Sequence, residues 1–424
     1  MINTFRAVLR KSGALSAIVE NTMVMVFLKG LTGIARVFLF LLIARQFGPA
    51  EFGVFSLVYA FVEIFRSLSD LGVDTVLIRR LSRQQGAVEA LIGNAFALKC
   101  LFATGGYLIA LISFSFLYPD IGGRPFLLIL ATTIYTTLLI NLFNTYFQAK
   151  LRLIEAALGH IISALSYILL TLIILRGGGS LLLICFIVPV TELANLIILF
   201  KIYGRYGRVR PQFQSAVARE LIGESLPVGL SVMMIVIYMR MDQLLLGWFQ
   251  GTTAVGEYAA AFRITEPFML IFTSLSLSLY ASLSSPSGDF FQKGSRRIVS
   301  KVLMVTFLST LSVASLLSFY ARPLIGWVVT PSDRVTLVLM ILSGSIVFKS
   351  INAMLTAIIN SLGKYRVVTA VAAGNLLINS ILGFVLIPRY SMIGAAIAVV
   401  VTEAINTAIQ SIYVFKIAGR RPVG

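Results

Sequence analysis

Long apolar runs dominate the chain, and polar residues fall mainly in the short breaks between them. Runs with few charges stand at 21–45, 52–77, 91–117, 126–148, 156–175, 181–203, 221–249, 256–283, 298–320, 335–361, 366–387 and 392–416. Each can supply the roughly 20 apolar residues that a helix needs to cross the hydrocarbon core of a bilayer. The pattern predicts an all-α polytopic membrane protein of about twelve transmembrane helices. Two runs nearly touch at Arg152–Glu155. Ahead of the first run, Phe5, Arg6, Val8, Leu9, Arg10 and Lys11 form a basic, amphipathic stretch. The run that follows is too long for a cleaved leader. Residues 1–20 are therefore read as an interfacial segment before an uncleaved span.

Composition agrees with that reading. Charged residues make up 12% and hydrophobic ones 58% of the 424 residues, with a mean hydropathy of +0.94. A soluble domain carries about 25% charged residues. The net charge of +18 raises the question of nucleic acid. Position answers it: no dense basic block interleaved with aromatics occurs, and the cations flank apolar runs. One side of the predicted membrane carries 22 Lys and Arg and the other side 6 (Arg45, Arg124, Arg176, Arg322, Arg334 and Arg389). Cytoplasmic loops hold the excess, so both termini are placed in the cytoplasm and the number of spans is even. Cys100 and Cys185 lie in apolar runs without metal or redox spacing, and His160 is the only histidine. No metal site and no cofactor are expected.

The two halves of the chain repeat. Gly48-x4-Gly53-x9-Glu63 recurs as Gly251-x4-Gly256-x9-Glu266, at an offset of 203. Ile140-Asn141 with Lys150-x-Arg152 matches Ile351-Asn352 with Lys364-x-Arg366. Val188-x-Val190-Thr191-Glu192-x-x-Asn195 recurs as Val399-x-Val401-Thr402-Glu403-x-x-Asn406, at an offset of 211. The matches keep their order. Six spans per half is an even number, so the copies enter the membrane in the same sense and form parallel repeats. This predicts an N-terminal six-helix lobe over 21–203, a basic cytoplasmic linker over 204–220, a C-terminal lobe over 221–417 and a tail over 418–424, with a cavity between the lobes.

The remaining 7 of the 35 cations lie inside spans: Lys29, Arg36, Arg66, Lys99, Arg240, Arg263 and Lys349. A Lys or Arg at the bilayer centre costs about 2.5–3.5 kcal/mol on insertion scales. These residues must therefore face partners or water. Glu63, Arg66 and Asp70 share one helical face at i, i+3 and i+7, and Arg263 and Glu266 repeat the i, i+3 spacing. Arg240 has Asp242 near it, whereas Lys29 and Arg36 share a face with no acid in the same run. One reading is a set of salt bridges that fix helix packing. The other is a positively lined cavity for an anion, and a diphosphate head group suits Arg and Lys by charge and hydrogen bonding. On that reading Lys29, Arg36, Arg66, Arg240 and Arg263 bind the head group. Glu63, Asp70, Asp242 and Glu266 serve ion coupling or cavity salt bridges. Pro227 and Pro267 lie within predicted spans, where a missing backbone N–H permits either a gate or a static bend.

Leu42-Ile43-Ala44-Arg45-Gln46-Phe47-Gly48-Pro49-Ala50-Glu51-Phe52-Gly53-Val54-Phe55 resembles the first-loop signature of polysaccharide-repeat flippases. Tyr238-Met239-Arg240-Met241-Asp242-Gln243, followed by Val255 to Arg263, resembles the matching segment of their second lobe, and Pro388 to Ala398 resembles the start of their last span. The likeness extends over nearly the whole chain. The family belongs to the multidrug/oligosaccharidyl-lipid/polysaccharide exporter superfamily. The resemblance implies a non-enzymatic flippase of the bacterial inner membrane. Its cargo would be an undecaprenyl-diphosphate-linked oligosaccharide repeat unit for O-antigen, capsule or exopolysaccharide synthesis, moved by alternating access. It implies membrane lipids and the pathway's polymerase and chain-length proteins as partners, a monomeric state, no nucleic acid, and a proton or sodium gradient as the drive. A multidrug antiporter of the same superfamily would want a more acidic cavity, and a lipid II flippase is often built with extra spans. A membrane-embedded polymerase would need a large catalytic loop, and the chain has none.

Overall fold

A computed structural model describes residues 13–83, 88–284, 293–330 and 332–419, with side chains placed from Gly30 onward except at 270, 293–296 and 418–419. Residues 1–12 of the predicted interfacial segment, the tail from 420 and the side chain of Lys29 lie outside the described set.

The described residues form twelve helical elements: α1 Gly13–Asp70, α2 Val73–Ser82, α3 Val88–Leu117, α4 Arg124–Ala131, α5 Thr133–Ala149, α6 Leu153–Arg176, α7 Leu181–Tyr203, α8 Ser215–Leu283, α9 Lys293–Phe319, α10 Ala321–Val328, α11 Asp333–Ser361 and α12 Tyr365–Gly419. Nine helical stretches among them are long and apolar enough to cross a membrane, with α4 and α5 counted together. Three of the nine are double. The backbone breaks at Gly48 in α1, Gly251 in α8 and Ser391 in α12. Dividing each at its break gives twelve crossing segments, six before residue 204 and six after residue 214, so the chain is a multi-pass, all-α membrane protein.

The breaks follow from local chemistry. Gly48 sits at φ 72°, ψ 172° and Gly251 at φ 78°, ψ −178°, a region essentially confined to glycine. Pro49 reinforces the first break, because proline disfavours helical geometry in the residue before it. The turn between α5 and α6 and the turn between α11 and α12 are built alike. In each, a left-handed residue ends the helix, and the next residue's N–H bonds the carbonyl five positions back: Arg152 to Phe147 at 2.7 Å and Lys364 to Ile359 at 3.2 Å. The left-handed position is Leu151 (φ 57°) in the first copy and Gly363 (φ 70°) in the second. The repeat is thus present in backbone geometry as well as in side chains.

The chain divides into two compact units. One contains residues 1–39, 62–115 and 124–233, and the other 40–61, 116–123 and 234–424. The division is interleaved: 40–61 comes from the first half of the sequence and belongs to the second unit. In the first unit, Phe143, Phe147, Tyr146 and Tyr203 form an aromatic core with Leu77, Ile92 and Leu221. The segment after α7 runs along the start of α3, where the N–H of Gln214 donates to Asn94 Oδ1 at 2.6 Å and that of Arg208 to Glu89 Oε1 at 3.4 Å. The basic 204–220 stretch is therefore tethered to the first unit over much of its length, and it is already helical from Ser215.

In the second unit, Gly53 and Gly256 mark a close crossing. A Cβ on Gly53 would overlap the carbonyl of Thr252, and one on Gly256 would overlap the carbonyl of Pro49. These are equivalent positions of the repeat, and each copy leaves room for the other's backbone. Packing of small residues is how helices approach closely in lipid, where no hydrophobic drive brings them together. Other large side chains of this unit point outward, with Phe116, Phe319 and Phe415 more than three-quarters exposed.

Candidate functional site

In the first unit, Arg66 on α1 reaches across to Glu192 on α7, with Nη2 2.8 Å from Oε1, and its Nε donates to Thr133 Oγ1 at 3.0 Å. Thr136 and Thr137 on α5 also donate to Glu192. The sequence spacing points to Glu63 as the partner of Arg66; the structure adds Glu192, from the Thr-Glu-x-x-Asn repeat motif. Asp70 turns to Lys99, which is fully buried on α3. Its Nζ lies 2.6 Å from Asp70 and 2.9 Å from Asp74, and Asp74 also accepts from Thr145 at 3.1 Å. This triad spans the non-helical step at Leu71–Gly72 between α1 and α2. Arg36 is different. Its Nε is buried without a hydrogen-bond partner, and no acid lies within ion-pair distance of its guanidinium among the described residues.

In the second unit, Arg263 pairs with Glu266 at 2.6 Å, as their i, i+3 spacing suggests, and its guanidinium lies 4.2 Å from the centre of the Phe40 ring. Close by is a cavity of about 450 Å³, within the range of small-molecule pockets. Arg240, Asp242 and Glu266 line it, whereas Arg263 does not. Asp242 is nearly fully buried and accepts from the Tyr258 hydroxyl and from the N–H of Gln243. Glu403 on α12 accepts from Tyr238 at 2.6 Å and from Asn352 at 2.7 Å. Lys349 also lines the cavity, with its Nζ 5.2 Å from the centre of the Phe262 ring.

The wall of this cavity is not uniformly positive. Two cations, Arg240 and Lys349, share it with three carboxylates, Asp242, Glu266 and Glu403. Its remaining polar lining combines four amides, Asn352, Asn375, Asn406 and Gln410, with hydroxyl side chains. The mid-span cations alone did not reveal these groups. Their signal is the run of polar residues Glu403, Asn406 and Gln410 at i, i+3 and i+7 of an otherwise apolar helix.

Pro227 and Pro267 both sit within α8, which continues as helix through each of them. Pro227 is exposed, and its carbonyl accepts from Ser231 Oγ at 3.2 Å. Cys185 is buried and Cys100 half-buried, both as free thiols.

Comparison with known proteins brings these features together. The model of a family described as polysaccharide biosynthesis protein matches residues 18–285, and the MatE family model matches residues 227–385. The probable low-salt glycan biosynthesis flippase Agl15 of Haloferax volcanii is 23% identical over 378 residues, which is 87% of this chain and 78% of that protein. An uncharacterized membrane protein of Methanocaldococcus jannaschii, MJ1068, is 24% identical over 209 residues, 48% of this chain and 41% of that protein. Among solved structures, the lipid II flippase MurJ in an inward-closed conformation superposes with a TM-score of 0.77 at 15% identity, over 93% of this chain and 87% of that one. An inward-facing multidrug resistance MATE family transporter superposes with a TM-score of 0.74 at 12% identity, over 91% and 95%.

Proposed function

Starting from the premise that this chain belongs to the polysaccharide biosynthesis protein family, as a flippase of the multidrug/oligosaccharidyl-lipid/polysaccharide exporter superfamily, we propose that it moves a polyprenyl-diphosphate-linked oligosaccharide between membrane leaflets. In the fuller form of this reading, the carrier is undecaprenyl, the membrane is the bacterial inner membrane with both termini in the cytoplasm, and the product feeds O-antigen, capsule or exopolysaccharide synthesis. The pathway's polymerase and chain-length proteins are then its partners, and it works as a monomer.

The observation that carries the proposal is Arg36. A guanidinium within a membrane span, with a buried Nε and no acid beside it, is costly unless a ligand supplies the negative charge. A phosphate does so with good geometry. Arg66 and Arg263 carry carboxylates of their own, so they bind the head group only by exchanging partners. Lys29 completes the proposed set with Arg36; Arg240 lines the cavity of the second unit beside Asp242 and would meet the cargo there. The mechanism is alternating access: the diphosphate and sugars are held by the protein, the polyprenyl tail stays in lipid, and a conformational change re-exposes the head on the far side. No bond is made or broken. Among the acids assigned to coupling with a proton or sodium gradient, Asp70 is held by Lys99, which favours Asp242 and Glu266 at the cavity wall, with Glu63 beside Arg66. Proline-centred bending at Pro227 and Pro267 supplies the gates.

The test is to delete the gene and find the leaflet in which the lipid-linked unit accumulates. Build-up on the cytoplasmic side is expected. Normal flipping with failed chain elongation would sink the reading. Complementation with Arg36→Ala, expressed and inserted at wild-type level, is expected to fail.

A further inference from the structure

Resting on that reading, we propose that the cavity of the second unit is a saccharide site, which receives a neutral sugar ring of the cargo while the diphosphate is bound elsewhere.

Charge makes the first argument. A diphosphate brings at least two negative charges, and this wall already carries three carboxylates against two cations. Glu266 has its own Arg263, and Glu403 is engaged by Tyr238 and Asn352. The local charge is thus close to balanced and leaves no surplus cation for a polyanion. A neutral, hydroxyl-rich ligand meets no such conflict.

Hydrogen-bonding capacity makes the second. Gln410 Nε2 donates to Asn406 Oδ1 at 2.7 Å, and Thr356 Oγ1 donates to Gln410 Oε1 at 3.0 Å. This ladder orients the amides but does not exhaust them, because each NH2 group has two hydrogens. Asn375 stands outside the ladder. It lines the cavity and is 9% exposed, and its amide atoms open onto the cavity rather than being sealed away from it. Its two donors and its acceptor are thus available to whatever occupies the cavity. Planar amides and carboxylates suit sugar hydroxyls, which both donate and accept. The Tyr238 and Phe262 rings add apolar surface for the C–H face of a pyranose.

Size makes the third. About 450 Å³ admits a sugar ring but excludes a polyprenyl tail or a long oligosaccharide. The cavity would therefore read one residue of the repeat unit, and so determine which glycan is accepted.

The test uses the purified full-length chain in lipid nanodiscs and reads thermal stability. The probes are glucose, galactose, rhamnose and N-acetylglucosamine at millimolar concentration, with farnesyl diphosphate as a sugar-free lipid diphosphate. At least one sugar is expected to raise the melting temperature. Asn375→Leu should weaken that response roughly tenfold, the equivalent of one hydrogen bond between neutral groups. It should leave the response to farnesyl diphosphate unchanged. The ligand-free Asn375→Leu protein should melt no lower than the parent, because leucine is of similar size and the amide it replaces faces the cavity. Val371→Trp, which fills the cavity and keeps every amide, is the second variant and should abolish the sugar response. Absence of any sugar response in the parent, or a sugar response that survives both variants, overturns the proposal. So does stabilisation by sodium chloride with none by sugar, which would make the cavity a cation site. Loss of the farnesyl diphosphate response in the parent counts instead against the diphosphate reading on which this one rests.

Discussion

Replacing Lys99 with Met removes a cation from a place where no water can substitute for it. The ammonium is fully buried and is shared by Asp70 at 2.6 Å and Asp74 at 2.9 Å. Taking one member out of a buried ion pair typically costs about 3–5 kcal/mol, because the remaining charge is left without compensation. Here two carboxylates are stranded close together, so the upper end of that range is expected. At about 2–4 °C per kcal/mol for a unit of roughly 200 residues, the melting temperature should fall by roughly 10–20 °C. The assay is size-exclusion of heated, detergent-solubilised protein. A repaired variant, Lys99→Met with Asp70→Asn and Asp74→Asn, keeps the shape and removes all three charges, and it should regain most of the loss. Lys99→Met melting within about a degree of wild type, or a repaired variant no better than the single one, would refute a structural clamp. A repaired variant that folds but does not transport would return Asp70 to the coupling residues.

Leu151→Gly relieves a left-handed leucine and should stabilise by up to about 1 kcal/mol, whereas Gly363→Ala at the matching position should cost a similar amount; thermal melts of both variants check the sign. Gly53→Ala or Gly256→Ala should sharply reduce folded yield on a fluorescence size-exclusion column, since each Cβ meets backbone, while Gly374→Ala, which faces open space, should be neutral. Arg66→Ala and Glu192→Gln in a double-mutant cycle should show a coupling above about 1 kcal/mol, and strict additivity would mean that the 2.8 Å pair contributes nothing.

The membrane class, the twelve crossings and the repeat were legible because each rests on a one-dimensional signal: run length, cation side and motif spacing. Even the helix breaks were marked, since Gly48-Pro49 and Gly251 sit where the runs give way. Partner choice was less legible. Arg66 and Glu63 lie three residues apart on one helix, but the carboxylate of Glu192 comes from a helix more than a hundred positions away, and sequence spacing carries no distance between helices. The same gap hid the character of the cavity. In the cavity of the second unit, the carboxylate of Glu403 and the amides of Asn375, Asn406 and Gln410 come from α12 to share a wall with Arg240 and Lys349. An intramembrane amide is as informative as an intramembrane charge, because it too must be paired.

The crossing of Gly53 with Gly256 sets an order on how the protein can be made. The two glycines are 203 residues apart, so the helix carrying Gly53 is synthesised and inserted long before its partner exists. Until then its small-residue face, shaped to admit another backbone, stands open to lipid or to any similar helix nearby. A nascent chain that stalls before residue 251 presents half of a symmetric joint, and the surface most like its missing half is the same surface on another stalled chain. Pairing between arrested copies, suppressed by bulk at Gly53, is the error that this architecture invites during biogenesis.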